Sequence, residues 1–238
     1  MVFSKFSLSL AVAGLAFASA ASAQAAVLAG PTTLQDLVDG ATITVGDKLF
    51  NHFTYSKTGD MPNASDVNVV SLLEPGLWGI SFQGAFFDQA GGGASDALIR
   101  YRVTVLDPDF VITDAHLRGD PAILPPTGAP FGATGYVSVV ESFVPTVNDS
   151  LFAIYNLQPP SAVKLVDEIL FEGKGYTSLD VQKNITAVVT SEFGIAGLSF
   201  VDQLYSQGDA AGGDIPEPAS LGVLGLGAMA LLARRRRA

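Results

Sequence analysis

Two histidines are the only imidazoles in this 238-residue chain, so any acid–base or metal chemistry has to start from them. His116 follows Asp114 by two residues, a spacing that puts both side chains on one face of a strand, opposite Val111, Thr113, Ala115 and Leu117. Such a pair can orient an imidazole or share a metal. A metal site normally asks for three or four ligands, and a hydrolase asks for a positioned nucleophile. Neither a His-Glu-x-x-His nor a Gly-x-Ser-x-Gly pattern accompanies the pair. His52 stands apart, in a segment that reads as a hairpin. Both histidines are therefore expected at solvent-facing polar positions, and no catalytic residue is assigned. A secreted hydrolase ranks third among the functional readings. It would require a pocket joining His52 or His116 to carboxylates.

Calcium is the ion for which the chain holds candidate ligands. It takes six to eight oxygens from carboxylates, carbonyls and water, and Asp107, Asp109, Asp114 and Asp120 cluster near turns. Asp also favours turns on its own account. The four read first as turn chemistry and second as a Ca2+ site, and no other cofactor is expected. Gly91, Gly92 and Gly93 would suit a phosphate loop, but Asp88 and Asp96 flank them and no lysine follows. The same stretch approaches a Ca2+-binding nonapeptide that works by stacking many copies. A single copy reads as a loop between strands. With no cysteine in the chain, disulfides, thiolate metal sites and a cysteine nucleophile are excluded.

These residues sit on a framework of strands. Along 98–105, Ile99, Tyr101, Val103 and Val105 face one way while Arg100, Arg102 and Thr104 face the other. Along 179–189, Leu179, Val181, Ile185, Ala187 and Val189 share a face opposite Asp180, Gln182, Asn184 and Thr186. Residues 42–55 read as a hairpin turning at Gly46-Asp47, where glycine supplies the positive φ of a tight turn. Further strands are expected at 67–73, 77–82, 110–117, 136–144, 151–155, 163–171 and 198–205. Thr33 to Val38 forms one short helix with Gly40 past its end. Short strands with frequent turns predict an all-β fold, an antiparallel sandwich or jelly roll in a single domain. A carbohydrate-binding version of that domain would want an exposed aromatic strip. Tyr55, Trp78, Tyr136, Tyr155 and Tyr205 are the residues for it, though burial is the more ordinary fate of each.

The two ends have a different composition. Lys5, an apolar run over 8–17 and the small residues Ala21, Ser22 and Ala23 follow the order of a secretory signal peptide. Signal peptidase is expected to cut after Ala23, with Ala25 as the alternative. At the other end, residues 219–233 carry no charge and form a helix of roughly 22 Å, shorter than a hydrocarbon core of about 30 Å. Arg234, Arg235, Arg236 and Arg237 follow at once, and such a block stays on the cytoplasmic side. Pro218 cannot continue a helix and Pro216 stretches the residue before it. The formal net charge is −10, and the part between the ends is more acidic still, because Lys5 and the four arginines lie outside it. Nucleic acid and anionic membrane surfaces do not suit such a field, whereas divalent cations and neutral or cation-bridged polysaccharides do. Leu124-Pro125-Pro126-Thr127-Gly128 spells a sortase pentapeptide, but it stands far from the apolar tail and reads as a loop.

The triplet Pro216-Glu217-Pro218, the short apolar helix and the terminal arginines together resemble the PEP-CTERM sorting signal of Gram-negative bacteria. That resemblance implies recognition and removal of the tail by an exosortase, with Pro216, Glu217 and Pro218 as the recognition element. It also implies association with an extracellular polymeric matrix, such as a biofilm. Segments within 34–55, 59–69, 80–103 and 198–207 are similar to those of one group of PEP-CTERM ectodomains and add no chemistry. The expected organisation is a signal peptide over 1–23, a β-sandwich over 24–214 and a sorting signal with one transmembrane helix over 215–238. The expected function is an exported, exosortase-processed structural protein of the cell surface, briefly anchored in the inner membrane, and not an enzyme. A polysaccharide- or Ca2+-binding module is the alternative.

Overall fold

Alternation of apolar and polar residues is the feature that organises the chain. The computed structural model describes residues 27–28, 31–125, 132–143, 149–158, 161–171 and 175–210. The first elements are β1 (Val27–Leu28), β2 (Thr32–Thr33), α1 (Leu34–Val38), β3 (Thr42–Val45) and β4 (Lys48–Lys57). A 3-10 turn at Ala64–Asp66 leads to β5 (Asn68–Glu74), β6 (Leu77–Gln89), β7 (Ser95–Val105), β8 (Phe110–Ile112) and β9 (Asp114–Gly119). There follow β10 (Ala122–Leu124), β11 (Gly135–Phe143), β12 (Ser150–Asn156), β13 (Ala162–Lys164) and β14 (Val166–Leu170). The last three are β15 (Ser178–Val189), β16 (Ile195–Tyr205) and β17 (Gln207–Asp209).

The strands form an eight-stranded sheet in the order β1-β3-β4-β7-β15-β11-β12-β13 and a seven-stranded sheet in the order β14-β9-β16-β6-β5-β2, with β10 added to β16. A small β17-β8 pair stands beside them. The long pairings are antiparallel, β15 running with β7 from Ser178↔Thr104 to Ala187↔Ser95 and with β11 from Val181↔Phe143 to Val189↔Gly135. Inward side chains of both sheets merge in one core. Each fully buried Phe, Ile or Val contributes about 1.5–3 kcal/mol to that core. Phe50, Phe53, Phe82 and Tyr205 surround Tyr101 or one another, with ring centroids 5.3–6.2 Å apart. The hydroxyls of Tyr101 and Tyr205 meet at 3.0 Å across the two sheets. The all-β, antiparallel expectation holds.

The short helix also forms where expected. Thr33 is its N-cap, and Thr33 and Asp36 cap each other reciprocally. Gly40 follows with φ 107°. The hairpin over 42–55 turns at Gly46, whose φ is 59° and whose missing side chain leaves room for the Trp78 ring.

Two expected strands are each broken in two. Residues 110–117 divide at Thr113 into β8 and β9, which lie in different sheets. The break resets the parity, so that Ile112 as well as Ala115 and Leu117 can be buried. Residues 163–171 divide at Leu165, where the chain leaves the edge of the larger sheet as β13 and enters the edge of the smaller one as β14. The strand expected at 77–82 continues to Gln89 as β6.

Candidate functional site

The outer face of the eight-stranded sheet carries a hollow of about 580 Å³ where β4, β7 and β15 adjoin. Its polar lining comes from His52, Thr54, Arg100, Asp180 and Gln182. Period-2 alternation explains three of the five, Arg100, Asp180 and Gln182. Ile99, Tyr101 and Val103 point into the core, so Arg100 and Arg102 point out, and the same parity on β15 turns Asp180 and Gln182 to the same face. Register then places Arg100 opposite Gln182 and Arg102 opposite Asp180. Arg102 grips Asp180 with two hydrogen bonds, Nε–H to Oδ1 at 2.7 Å and Nη2–H to Oδ2 at 2.8 Å. Those bonds, and then the charges of Arg102 and His52, hold the Asp180 carboxyl below its ordinary value. Arg100 donates only its Nε–H, to Gln182 Oε1 at 2.9 Å, so its terminal nitrogens are uncommitted among the described residues.

His52 reaches this face by a different route. Asn51 pairs with Arg102 and Thr54 with Arg100, so His52 and Phe53 together oppose the single residue Tyr101. This is a β-bulge, which re-aims side chains. Phe50 and Phe53 can then both be buried, Phe53 stacking on Tyr101 at 5.3 Å, while His52 is turned out to solvent. His52 adopts φ 56°, the one positive φ outside glycine among the described residues. Backbone of that kind costs roughly 1–3 kcal/mol in a residue with a side chain and clusters at functional positions.

The second histidine stands on the opposite side of the molecule. Asp114 and His116 do come together, with His116 Nε2 3.0 Å from Asp114 Oδ1 and Nδ1 3.5 Å from Glu168 Oε2. Asp114 Oδ1 also accepts the Ser206 N–H at 2.9 Å. Next to this group Arg118 Nη2 reaches Glu74 Oε1 at 2.5 Å and Asp202 Oδ2 at 3.4 Å. Ala115 and Leu117 bury the other face of β9, so the group lies on the outer face of the seven-stranded sheet. The core separates His52 from His116, and the two cannot act on one substrate.

The four aspartates expected near turns serve separate roles. Asp107 accepts the Asp109 N–H at 3.0 Å inside their own turn. Asp120 accepts the N–H groups of Ser199 and Phe200 at 2.8 and 3.0 Å, where β16 bulges between Leu198 and Phe200. No group of three or more His, Cys, Asp or Glu residues that could hold a metal occurs among the described residues. Gly91, Gly92 and Gly93 make the turn from β6 to β7.

The five aromatics do not make an exposed strip. Tyr205 is fully buried, and Tyr55, Trp78 and Tyr155 pack against the core. Tyr136 is half-buried on the outer face. Among the described residues the exposed ring is instead Phe152, with the Lys164 Nζ 4.3 Å from its centroid.

Polar residues also lie where only apolar ones were assigned. Lys183 and Glu141 are fully buried between the sheets and joined by an ion pair, and Lys183 Nζ also donates to Gln203 Oε1 at 2.9 Å. Both sit on the inner parity of their strands, and that parity was the signal that could have found them. Lys48 is buried too, bonded to Asp47 and Gln207 and 4.9 Å from the Trp78 ring centroid.

The family described as the PEP-CTERM protein-sorting motif matches residues 214–237. The chain carries a PEP-CTERM sorting motif. That motif marks an exported protein targeted to an exosortase and anchored in the membrane through its C-terminal segment before processing. Pro216, Glu217, Pro218 and Arg234 to Arg237 fall inside the matched range but outside the described residues. Ala21 and Ala23 also lie outside the described residues. The helix expected over 219–233 is outside them as well, and among the described residues no helix is long and apolar enough to cross a membrane. No curated protein matches the chain. Among solved structures it is similar to TmCBM61, determined in complex with β-1,4-galactotriose, at a TM-score of 0.28 and 10% identity over 65% of this chain and 88% of that one. A likeness of that degree transfers neither site nor ligand.

Proposed function

We propose that this PEP-CTERM chain is a non-catalytic protein of the cell surface and extracellular matrix. Signal peptidase removes residues 1–23, the sandwich crosses the inner membrane, residues 219–233 hold it there, and an exosortase recognising Pro216, Glu217 and Pro218 releases it. The observation that carries this reading is the sorting motif over 214–237 behind an acidic, all-β domain. The placement of the histidines supports the non-catalytic part, since His52 and His116 lie on opposite outer faces and neither is bonded to a serine, threonine or tyrosine hydroxyl among the described residues.

Mass spectrometry of the exported protein tests the scheme. No peptide from Ala219 onward is expected, and an intact C-terminus in the mature form refutes processing. Replacing Pro216, Glu217 and Pro218 by alanine is expected to leave the protein in the inner-membrane fraction; normal release refutes their role.

A second reading is favoured by one feature, the hollow on the eight-stranded sheet. It gathers a guanidinium, an imidazole, a carboxylate, an amide and a hydroxyl over adjacent strands. Planar donors and acceptors at that spacing suit the hydroxyls of a sugar, and this reading makes the sandwich a polysaccharide-binding module of the matrix.

A further inference from the structure

The cations of this chain are unevenly placed. Ahead of the terminal four it has three arginines, Arg100, Arg102 and Arg118, on a chain of strongly acidic composition. Two of these three belong to one hollow, where Arg100 lines the wall and Arg102 holds Asp180. The charges there do not cancel. Asp180 is committed to Arg102 through both carboxylate oxygens, while Arg100 meets only a neutral amide and keeps its terminal N–H groups available. His52 adds an imidazole that has no hydrogen-bond partner among the described residues and is aimed outward by the bulge. The result is a local cationic spot on an acidic protein.

We infer that this hollow binds a carboxylated sugar unit, of the uronic-acid class, within an acidic polysaccharide. The inference rests on the polysaccharide-binding reading above and narrows its ligand. A guanidinium with free terminal nitrogens matches a carboxylate in a planar, two-point arrangement. Thr54, Gln182 and Asp180 supply the mixed donors and acceptors that sugar hydroxyls need. A more highly charged group fits less well, because the Asp180 carboxylate stands in the same hollow and repels a second negative charge. The site is open, so a unit inside a long chain can enter it without a free chain end. Elsewhere the acidity of the protein repels an anionic polymer as it does nucleic acid, so contact is limited to a single unit at this spot.

The test uses the full-length protein in detergent and two polymers with the same backbone, polygalacturonate and its fully methyl-esterified form. Affinity electrophoresis or calorimetry reads binding at low salt. Polygalacturonate is expected to bind at least tenfold more tightly than the ester, and to weaken as salt screens the contact. Arg100→Ala is expected to remove that tenfold preference, Arg100→Lys to keep part of it, and His52→Gly to reduce it while leaving the fold intact. The thermal midpoint of each variant is read alongside, so that unfolding is not taken for lost binding. Equal binding of the two polymers, or an unchanged preference in folded Arg100→Ala, overturns the carboxylate inference and leaves sugar binding standing. Binding of neither polymer overturns both.

Discussion

The buried Lys183–Glu141 pair gives the most demanding test of the fold. Both side chains have no solvent exposure, and they bridge neighbouring strands with Gln203 of the facing sheet completing the group. Glu141 Oε1 and Gln203 Nε2 have no hydrogen-bond partner among the described residues. Burial pushes the Glu141 carboxyl up and the Lys183 amine down, each opposed by the charge of the other. Lys183→Met removes the only cation that faces Glu141 among the described residues. Leaving a buried charge alone costs about 3–5 kcal/mol, a large part of the roughly 5–15 kcal/mol that holds a domain folded. Without Lys183 the remaining influence on Glu141 is desolvation, so its native pKa stands above its unfolded one. A carboxyl shifted that way contributes its stability in full below the unfolded value and loses it as pH rises through the native value. Lys183→Met is therefore expected to be more stable at pH 5 than at pH 8, with a slope of at most about 1.4 kcal/mol per pH unit for one proton. Urea unfolding at several pH values measures this. The triple variant Glu141→Leu, Lys183→Met and Gln203→Leu is expected to equal or exceed the wild type, since matched apolar replacement of the whole buried group is neutral or stabilising by about 1–4 kcal/mol and leaves no orphaned amide behind. A Lys183→Met variant that loses under about 1 kcal/mol with a flat pH profile refutes the reasoning.

Two further outcomes follow from close packing and burial. Gly79→Ala would place a Cβ 1.8 Å from the Gln203 carbonyl oxygen, between β6 and β16. The two strands must separate, so a loss of about 3 kcal/mol or outright failure to fold is expected in thermal melts. In an ultraviolet titration, Tyr55, raised to about 12 by burial, and the fully buried Tyr101 and Tyr205, raised for the same first reason, are expected to stay protonated through pH 11. Raised native values mean that stability is full below about pH 10 and is lost above it, so these three are expected to ionise together with alkaline unfolding. Smooth ionisation of all six tyrosines near pH 10 in the folded protein contradicts that.

How legible the fold was depended on whether a signal is local. Alternation along 98–105 and 179–189 correctly assigned the inner and outer residues of β7 and β15, and the glycine at 46 marked the hairpin turn. Local pattern cannot reveal that a strand changes sheets. Residues 110–117 and 163–171 read as continuous runs, and only the closing of the sandwich edge divides them at Thr113 and Leu165. Lys183 shows another limit. It occupies an inner position by parity, yet a lysine there makes sense only once Glu141, 42 residues away in sequence, is seen beside it. His52 was placed in its hairpin but not in its conformation, because a bulge is a matter of register between two strands.

The hollow also shows why outward polar residues are hard to interpret from alternation alone. Arg100, Arg102, Asp180 and Gln182 are where any antiparallel sheet would put polar residues, and cross-strand pairing is enough to account for two of them. An exposed arginine–carboxylate pair contributes only about 0–1 kcal/mol, so stability does not demand that pairing. What ordinary sheet chemistry leaves unexplained is the remainder. Arg100 spends one N–H on a neutral amide, and His52 holds a backbone conformation that works against folding so that its ring lies in the same depression. Positions that stability neither needs nor favours can be changed with little effect on the fold. Substitution at Arg100 or His52 therefore reports on the ligand almost alone, whereas substitution at Lys183 reports on the core.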